Sequence, residues 1–582
     1  MNNQTIQQNK PILPDTPRDA PFRSSSSGGI LLLLACLLGI AAIIPYAQSY
    51  YFDFVWDDVF LIKNNPRLDA PGYLRDIWFS DYFHHLAEPA RSFFWRPMVR
   101  FSMYADYKFF GRNPEGFHLT NLILFGTLAG VLFVFLRHFV NTVPAVAATL
   151  LYAWHPLRVE IAAWISARTE TMALLFGLIS LLLLFRSLSR HGKVAAIWLT
   201  AALISLSVAL LSKESAVLFP ILAVILKPRE LKRHWLSFTL FTLPVAGWFA
   251  ARQVAVGFRH WFPQLVEPAL IPATAFRATL HYFMLHVRPV GLSAEPWFDF
   301  PEHSGEPGVI LGILLVSGLA GIALWRRNTI ARGIAWFFLG LLPFLQILPL
   351  PERAADRYTT MASVGCVLAI AAAVQSIRNR HLQRAATVLM FIAAGACAVL
   401  SAQLTPSWMS DSDIRHRAAR YGESPQALFY RGSDALREGR FTEAFTAFDT
   451  ALTRTHDPSD VLLFQLAMTE IQLEKIDRAV THLEQLVASY PEHPMGGMIL
   501  GELYMRTGKF REALRLMKSQ ASRFPDNPVP HLVIGQVCMD YLNQPRVAEQ
   551  AFREALRRNA RGPQREFAED RLRQLVQVPA DR

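Results

Sequence analysis

The chain has 582 residues, of which 52% are apolar and only 18% are charged. A soluble domain usually carries about 25% charged residues, so the composition excludes a wholly soluble protein. Lysine and arginine exceed aspartate and glutamate by 58 − 46 = 12. Such an excess is typical of nucleic-acid binding, but basic residues that flank membrane spans would produce it too. The positions of the basic residues must therefore decide between these two explanations.

Eleven apolar segments are candidates for membrane-spanning helices, because a helix of about 20 residues crosses the hydrocarbon core. They are residues 30–47, 119–139, 142–154, 160–185, 194–212, 214–227, 235–251, 308–325, 330–350, 359–377 and 384–404. We expect the first to be an uncleaved anchor, because no clear small-residue cleavage site closes it.

The basic residues between these segments concentrate on one side if the N-terminus is cytoplasmic. This is the positive-inside pattern of membrane proteins, and it explains the excess charge without nucleic acid. The same topology predicts two long outer loops, at about 48–118 and 252–307, and an extracytoplasmic segment from residue 405. We expect that compartment to be a bacterial periplasm rather than the ER lumen.

Two predicted spans, 142–154 and 214–227, are too short to cross the whole bilayer. The turns that follow or precede them, at Trp154 to Glu160 and at Ser212 to Glu214, are therefore expected to lie below the outer surface. Charged, irregular backbone at that depth occurs only where it lines a cavity in the protein. The sequence thus predicts a functional site there.

The first outer loop contains two adjacent carboxylates, Asp57 and Asp58, directly after Trp56. A carboxylate at this place is a candidate general base or a ligand for a divalent cation such as Mg²⁺ or Mn²⁺. The alternative is a helix cap in an amphipathic loop. If the site holds a divalent cation, Asp57 and Asp58 are its expected ligands.

A second acid, Glu160, follows His155 and a proline at the start of a predicted helix, where a carboxylate is favoured. Arg168 is predicted two turns deeper on the same helix face. Ionisable residues inside a span are functional candidates. The alternative is a buried pair of Glu160 with Arg168 that only holds helices together.

Arg168 is also a candidate contact for a phosphate, together with three further cations: Arg96, Lys213 and Arg357. A guanidinium presents a fork of donors that matches phosphate oxygens. The alternatives are an internal pair of Lys213 with Glu214 and an interface salt bridge at Arg357.

His118 and Asn121, one helical turn apart, are candidate sugar contacts, with His155 as a third substrate contact. The alternative for His118 and Asn121 is a hydrogen bond to the loop backbone. A metal at His84, His85 and Glu88 is a weaker hypothesis, since adjacent histidines in a loop are common.

After residue 405 the chain changes to amphipathic helix pairs with a period of about 34 residues. The alanines that mark it are 35, 34 and 35 residues apart, at Ala444, Ala479, Ala513 and Ala548. This period is typical of tetratricopeptide repeats (TPRs), which stack into a solenoid with a concave groove. Four repeats are predicted, and the alternative is a generic helical bundle.

These strings occur in an order that resembles a known family: Trp-Asp-Asp, Arg-Pro, Phe-His-Leu-x-Asn, His-Pro-x-x-x-Glu with a following Arg, Ser-Lys-Glu and then the repeats. They resemble the transmembrane-and-TPR (TMTC) O-mannosyltransferases and, more broadly, the GT-C glycosyltransferases. The resemblance implies an enzyme that uses a polyprenyl-phosphate-linked sugar at the outer membrane face. It places Asp57 or Asp58, as base or metal ligand, and Glu160 at the two acidic motifs.

The expected fold is all-α, with a GT-C-type membrane domain followed by a TPR solenoid. The predicted division is a cytoplasmic tail (1–29), the membrane domain (30–404), a linker (405–424), the repeats (425–563) and a C-terminal helix or tail (564–582). The expected partners are the lipid bilayer, a polyprenyl-phosphate sugar and an acceptor protein or peptide recruited by the solenoid, without nucleic acid. The alternatives are transfer to a lipid or envelope polysaccharide, and a non-enzymatic membrane scaffold.

Overall fold

The computed structural model describes residues 25–83, 94–257, 266–348, 350, 352–455, 457–558 and 560–577. Within these residues the chain is helical and contains no β-strand, which confirms the all-α prediction. It divides into two units. The first unit comprises the chain up to Pro289 and the segment from Phe300 to Ser410. The second comprises Val290–Asp299 and the chain from Asp411 onward. Most of the predicted tail, like His84, His85 and Glu88, lies outside the described residues.

The described part of the first unit contains α-helices that we number in chain order. They are α1 (Ser25–Ile43), α2 (Tyr73–Phe79), α3 (Pro97–Phe110), α4 (Pro114–Leu136), α5 (Thr142–Trp154), α6 (Val159–Ala163), α7 (Arg168–Leu188), α8 (Gly192–Leu210), α9 (Phe219–Leu226), α10 (Pro228–Arg233), α11 (Trp235–Leu240), α12 (Leu243–Val256), α13 (Ile271–Val287), α14 (Pro307–Arg326), α15 (Thr329–Leu341), α16 (Thr360–Gln375) and α17 (Arg380–Leu404). Short 3₁₀ segments connect several of them.

Seven helical segments in the described chain are long and apolar enough to cross a membrane. They are Gly28–Tyr51, Pro114–Leu136, Ile165–Leu188, Gly192–Leu210, Pro307–Arg326, Asp356–Gln375 and Arg380–Trp408. Three shorter apolar segments, Thr142–Trp154, Glu214–Leu226 and Thr329–Phe344, accompany them. The chain is thus a multi-pass membrane protein.

One predicted span, residues 235–251, is not a single helix. It is divided into α11 and α12, which meet at Phe241 and Thr242. Pro244 lies in the first turn of α12, where its missing N–H is tolerated, whereas inside a longer helix it would remove a hydrogen bond. The apolar composition was correctly recognised, but the proline ends the helix.

The predicted span 160–185 is also interrupted, and the interruption shapes the site. Helix α6 ends at Ala163, Trp164 is extended (φ −88°, ψ 123°), and a 3₁₀ turn leads into α7. The Asn121 side-chain amide donates to the carbonyls of Trp164 (3.1 Å) and Ile165 (3.3 Å). Because tertiary contacts satisfy the carbonyls released by the break, the chain can leave the helix here.

The second unit is a series of antiparallel helix pairs. Its described helices are α18 (Asp411–Tyr421), α19 (Pro425–Arg437), α20 (Phe441–Arg454), α21 (Asp460–Gln472), α22 (Ile476–Ser489), α23 (Gly496–Arg506), α24 (Phe510–Arg523), α25 (Val529–Asp540), α26 (Pro545–Arg557) and α27 (Pro563–Gln577). Much of the predicted linker 405–424 is therefore helical, since α18 occupies Asp411–Tyr421.

Each hairpin closes where a small residue on its first helix lies under a large apolar residue on its second. A Cβ atom on Gly432 of α19 would lie 2.6 Å from the Phe448 ring of α20. Gly501 faces Met517 and Gly535 faces Phe552 in the same way. This spacing is the reason for the 34-residue period of the sequence, because glycine or alanine is required at that position of each repeat.

We predict that Gly432→Val destabilises the solenoid by about 1–3 kcal/mol, because the added methyl groups overlap the ring of Phe448. Thermal unfolding and limited proteolysis of the full chain would measure the loss. Thr442→Val, an exposed change in the same hairpin, is the matched control. Equal stability of the two variants would contradict the close packing described here.

Candidate functional site

The two adjacent acids lie in a strained turn of the first outer loop. Trp56, directly before them, has a left-handed backbone (φ +51°), which is uncommon for a bulky residue and occurs mainly at functional sites. The Asp58 amide donates to the Val55 carbonyl at 3.0 Å and closes the turn. The two acids that follow this turn differ in burial, since Asp58 is buried and Asp57 is half-buried.

Asp58 is fully buried and its carboxylate is occupied. One oxygen accepts hydrogen bonds from the Ser166 amide (2.9 Å) and the Ser166 hydroxyl, and the other accepts from the Val55 amide (3.4 Å). Burial raises the pKa of Asp58 to about 7. Its geometry is that of a residue that ties the outer loop to the 3₁₀ turn before α7.

Asp57 is half-buried, and no described residue forms a hydrogen bond with its carboxylate. Its charged neighbours are Glu352, Arg357 and Arg96. Burial, and next the negative charge of Glu352, raises the pKa of Asp57 to about 6. A carboxylate that is available and titrates near neutrality has the properties of a general base.

Glu160 and Arg357 form an ion pair across 197 residues of sequence. One Glu160 oxygen contacts the Arg357 guanidinium, and the other accepts a hydrogen bond from the Arg357 backbone amide at 2.8 Å. Glu352 binds the second guanidinium nitrogen of Arg357. The guanidinium therefore lies between the buried carboxylate of Glu160, whose side chain is 6% exposed, and that of Glu352, whose side chain is 48% exposed.

Three tryptophans pack together beside this pair. Trp56 is edge-on to Trp164 and to Trp408, at 5.5 Å in both cases, and Trp164 stacks on Trp408 at 5.7 Å. The Arg357 guanidinium lies 5.3 Å from the ring centre of Trp164. The aromatic cluster thus connects the strained turn with the cation and lowers the local dielectric constant by excluding water.

Lys213 forms a buried ion pair with Glu170. Its ammonium also lies 5.3 Å from the Phe344 ring and 5.8 Å from the Tyr358 ring, and these two rings stack at 4.3 Å. Tyr358 is also 5.4 Å from the Arg357 guanidinium. The expected alternative, a pair of Lys213 with its neighbour Glu214, does not form.

Arg96 pairs with Glu214 through two parallel contacts, 3.3 Å from Nε and 3.1 Å from Nη2. Arg96 immediately precedes α3, and the next residue but one, Met98, donates its amide to the Leu211 carbonyl at 3.1 Å. The beginning of α3 is therefore fixed to the turn that carries Lys213 and Glu214.

The structure thus brings Asp57, Glu160, Arg96, Lys213 and Arg357 into one charge cluster. Arg96 and Arg357 lie within electrostatic range of both Asp57 and Lys213. The cluster is completed by Glu170, Glu214 and Glu352. We use the term charge cluster for these eight residues.

Arg168 lies outside the charge cluster, and the prediction that it shares a helix face with Glu160 is wrong because α6 ends between them. Its guanidinium is 1% exposed and all three nitrogens are engaged. They contact Asp106 (2.7 Å), Asn121 (2.6 Å), Ser102 (3.1 Å) and the Phe117 carbonyl (3.0 Å). This geometry favours a structural role over phosphate binding.

The three predicted substrate contacts are also engaged within the protein. Asn121 holds Arg168 and the carbonyls at the helix break, and His118 is fully buried, edge-on to Phe52 at 6.2 Å. His155 Nδ1 accepts the Leu157 amide at 3.3 Å and so caps the turn that follows α5. For Asn121 these contacts agree with the alternative of hydrogen bonds to the backbone. Substrate binding by His118 and His155 stays a prediction.

A divalent cation has no suitable donor set at Asp57 and Asp58. Both Asp58 oxygens accept hydrogen bonds from N–H or O–H groups, which leaves Asp57 as the one available carboxylate of the pair. Among the described residues, no group of three or more His, Cys, Asp or Glu could hold a metal. We therefore derive no step through a metal.

Sequence reasoning missed the anionic partners of the cations, namely Glu170, Glu214 and Glu352. Each lies within five residues of a cation that the sequence did single out: Arg168, Lys213 or Arg357. That proximity in sequence could have indicated ion pairs, but only between neighbouring residues. Glu170 and Glu214 instead bind cations from elsewhere in the chain, and only Glu352 binds its neighbour Arg357.

Comparison with known proteins supports the resemblance stated above. A tetratricopeptide repeat profile matches residues 464–528. Similar curated proteins are Protein O-mannosyl-transferase TMTC4 of Mus musculus (28% identity, 31% of this chain, 27% of the relative), F38B6.6 of Caenorhabditis elegans (32%, 28%, 24%) and TMTC1 of Mus musculus (33%, 29%, 19%). These relatives confirm the TMTC-like resemblance, and the matched segment spans about a quarter of their length.

Two solved structures are also similar at low level. YrrB, a TPR protein, has a TM-score of 0.23 at 17% identity and covers 31% of this chain and 86% of its own. The Cut9–Hcn1 assembly has a TM-score of 0.26 at 12% identity and covers 83% and 90%. TM-scores this low do not indicate a shared fold.

We predict that Arg168→Met lowers stability by about 3–5 kcal/mol, because it leaves Asp106 buried without its counter-charge. Thermal unfolding in detergent would measure the loss. The double variant Arg168→Met with Asp106→Asn should recover part of it, since no unpaired charge then remains. A double variant as unstable as the sum of both single changes would contradict the pairing.

Proposed function

We propose that this chain is a membrane glycosyltransferase that moves a mannose-like sugar from a polyprenyl phosphate to a hydroxyl group of an extracytoplasmic protein. The observation that carries the proposal is the charge cluster, in which one carboxylate without a cation partner, Asp57, faces Arg96 and Arg357. The similarity to protein O-mannosyl-transferases supports the same reaction class.

Asp57 is the proposed base. It accepts the proton of the acceptor hydroxyl while the hydroxyl oxygen bonds to the anomeric carbon and the bond from that carbon to the phosphate oxygen breaks. The polyprenyl phosphate leaves with the electron pair, and direct displacement inverts the anomeric centre. A pKa near the working pH suits this role, because the base is then ionised and still basic enough to take the proton.

Arg357, Lys213 and Arg96 are the proposed cations for the departing phosphate. Fixed charges directed at developing negative charge can each contribute about 3–4 kcal/mol to the transition state. Glu160 orients Arg357 through two contacts, so we assign it as a positioning residue. Asp58 positions the turn that carries Asp57.

The solenoid is proposed to recruit the acceptor protein, which raises the effective concentration of its hydroxyl groups near the site. The pattern of basic residues supports a cytoplasmic N-terminus, and we propose that the reaction takes place on the opposite face, in the periplasm of a bacterium. Transfer to a lipid or an envelope polysaccharide is the alternative reaction. Mass spectrometry of peptides and glycans from a deletion strain would distinguish these acceptors.

We predict that Asp57→Asn abolishes sugar transfer while the protein remains folded. Burial raises the pKa of Asp57 in the folded state, so its ionised form costs stability above the unfolded pKa, and asparagine removes that cost. Turnover of a polyprenyl-phosphate-linked mannose and thermal unfolding at pH 8 are the measurements.

Asp53→Asn is the matched control for this variant. Asp53 lies four residues earlier, is 54% exposed and pairs with Lys63 at 3.0 Å on the surface, where such a pair contributes little. Unchanged turnover in Asp57→Asn would remove Asp57 as the base. If variants of every residue in the charge cluster also retained full biological activity, the result would favour the non-enzymatic scaffold.

We predict that kcat/KM rises with pH through about 6, the raised pKa of Asp57. Below that pH the carboxyl is protonated and cannot accept the hydroxyl proton; above it the base is ionised. A pH–rate profile of the wild type would show this limb, and any residual activity of Asp57→Asn should lack it. A wild-type profile that is flat between pH 5 and 8 would contradict the assignment.

A further inference from the structure

Arg357 binds two carboxylates that differ sharply in how firmly they are held. Glu160 has a side chain only 6% exposed and also accepts the backbone amide of Arg357 at 2.8 Å. Glu352 is 48% exposed and contacts Arg357 through its side chain. Exposed ion pairs contribute little to stability, so the Glu352 contact can be exchanged at low cost, whereas the Glu160 contact cannot.

The backbone that carries Glu352 is held independently of its side chain. The Gln346 amide donates to the carbonyls of Glu352 (3.3 Å) and Arg353 (2.9 Å), and Gln346 itself has a left-handed backbone (φ +58°). Release of the Glu352 side chain from Arg357 therefore requires only a rotamer change and leaves this backbone in place.

The position of Glu352 conflicts with an anionic ligand. Glu352 contacts Arg357 directly, and its charge also acts on Asp57 and Glu160, so it lies close to the proposed base. A phosphate that binds the same guanidinium nitrogen would meet a like charge at contact distance, and such a pair is repulsive. The carboxylate and the phosphate therefore exclude each other.

We propose that Glu352 occupies the phosphate subsite of the ligand-free protein and leaves Arg357 when the phosphate of the polyprenyl donor binds. This inference rests on the proposed function and assigns to Glu352 a role in setting donor affinity. The carboxylate shields Arg357 from other anions and is displaced by the one anion whose lipid chain supplies additional binding energy.

The competing explanation is that Glu352 merely orients Arg357, as Glu160 does. The two explanations predict opposite changes in phosphate affinity when the charge of Glu352 is removed. If Glu352 competes with the phosphate, removal of its charge tightens phosphate binding; if it orients the guanidinium, removal weakens binding. The sign of the change therefore separates them without any assumption about the rate of chemistry.

The experiment measures the dissociation constant of farnesyl phosphate, a short polyprenyl phosphate, for the purified full-length protein in detergent. Glu352→Gln should bind it about three- to tenfold more tightly than the wild type, the size expected for removing one repulsive charge about 4 Å away that water screens. Glu352→Ala should also bind more tightly, since it too lacks the charge. Inorganic phosphate serves as a second probe without the lipid chain.

Glu302→Gln is the matched control, because Glu302 is also an exposed glutamate but precedes α14, in the predicted outer loop 252–307, and does not belong to the charge cluster. It should bind as the wild type does, and thermal unfolding confirms that each variant is folded. Equal or weaker binding by folded Glu352→Gln and Glu352→Ala overturns the inference and leaves the proposed function standing. Failure of the wild type to bind farnesyl phosphate, with Arg357→Gln indistinguishable from it, overturns both.

Discussion

The ion pair of Glu160 with Arg357 is the contact on which the site depends. It joins α6 to the 3₁₀ turn before α16, and the two residues are 197 positions apart in the chain. Both residues are removed from water, so the pair is stable only with good geometry and additional hydrogen bonds. The Arg357 amide supplies one such hydrogen bond, and the Trp164 ring adds a cation–π contact to the guanidinium. The pair in turn fixes the cation near Asp57.

Adjacent acids in the first outer loop have separate tasks because the backbone between Trp56 and Asp58 is strained. The hydrogen bonds from Ser166 to Asp58 hold the turn in place, which compensates for the unfavourable backbone of Trp56. Asp57 is then held in a fixed position while its carboxylate makes no hydrogen bond to the described residues. In the proposed function, the two acids of this motif therefore have different roles, with Asp58 as the anchor and Asp57 as the base.

The sequence was sufficient to predict the helical class, the repeats and most of the apolar segments, since these depend on local composition and period. It also singled out Arg96, Lys213 and Arg357 as candidate phosphate contacts, and the structure brings these three cations together. It could not identify their partners, because pairs such as Lys213 with Glu170 depend on tertiary packing. The break after α6 was missed for the same reason, as the amide of Asn121 that stabilises it comes from another helix.

The carboxylates around the three cations explain how such a site can exist before its ligand arrives. An unpaired guanidinium or ammonium buried at this depth would cost several kcal/mol, so Arg96, Lys213 and Arg357 each carry a carboxylate partner in the folded protein. In the proposed function, binding of the donor phosphate exchanges one anion for another and does not bury a new charge. The cost of organising the cations is thereby met during folding, and the donor meets charges that are already oriented.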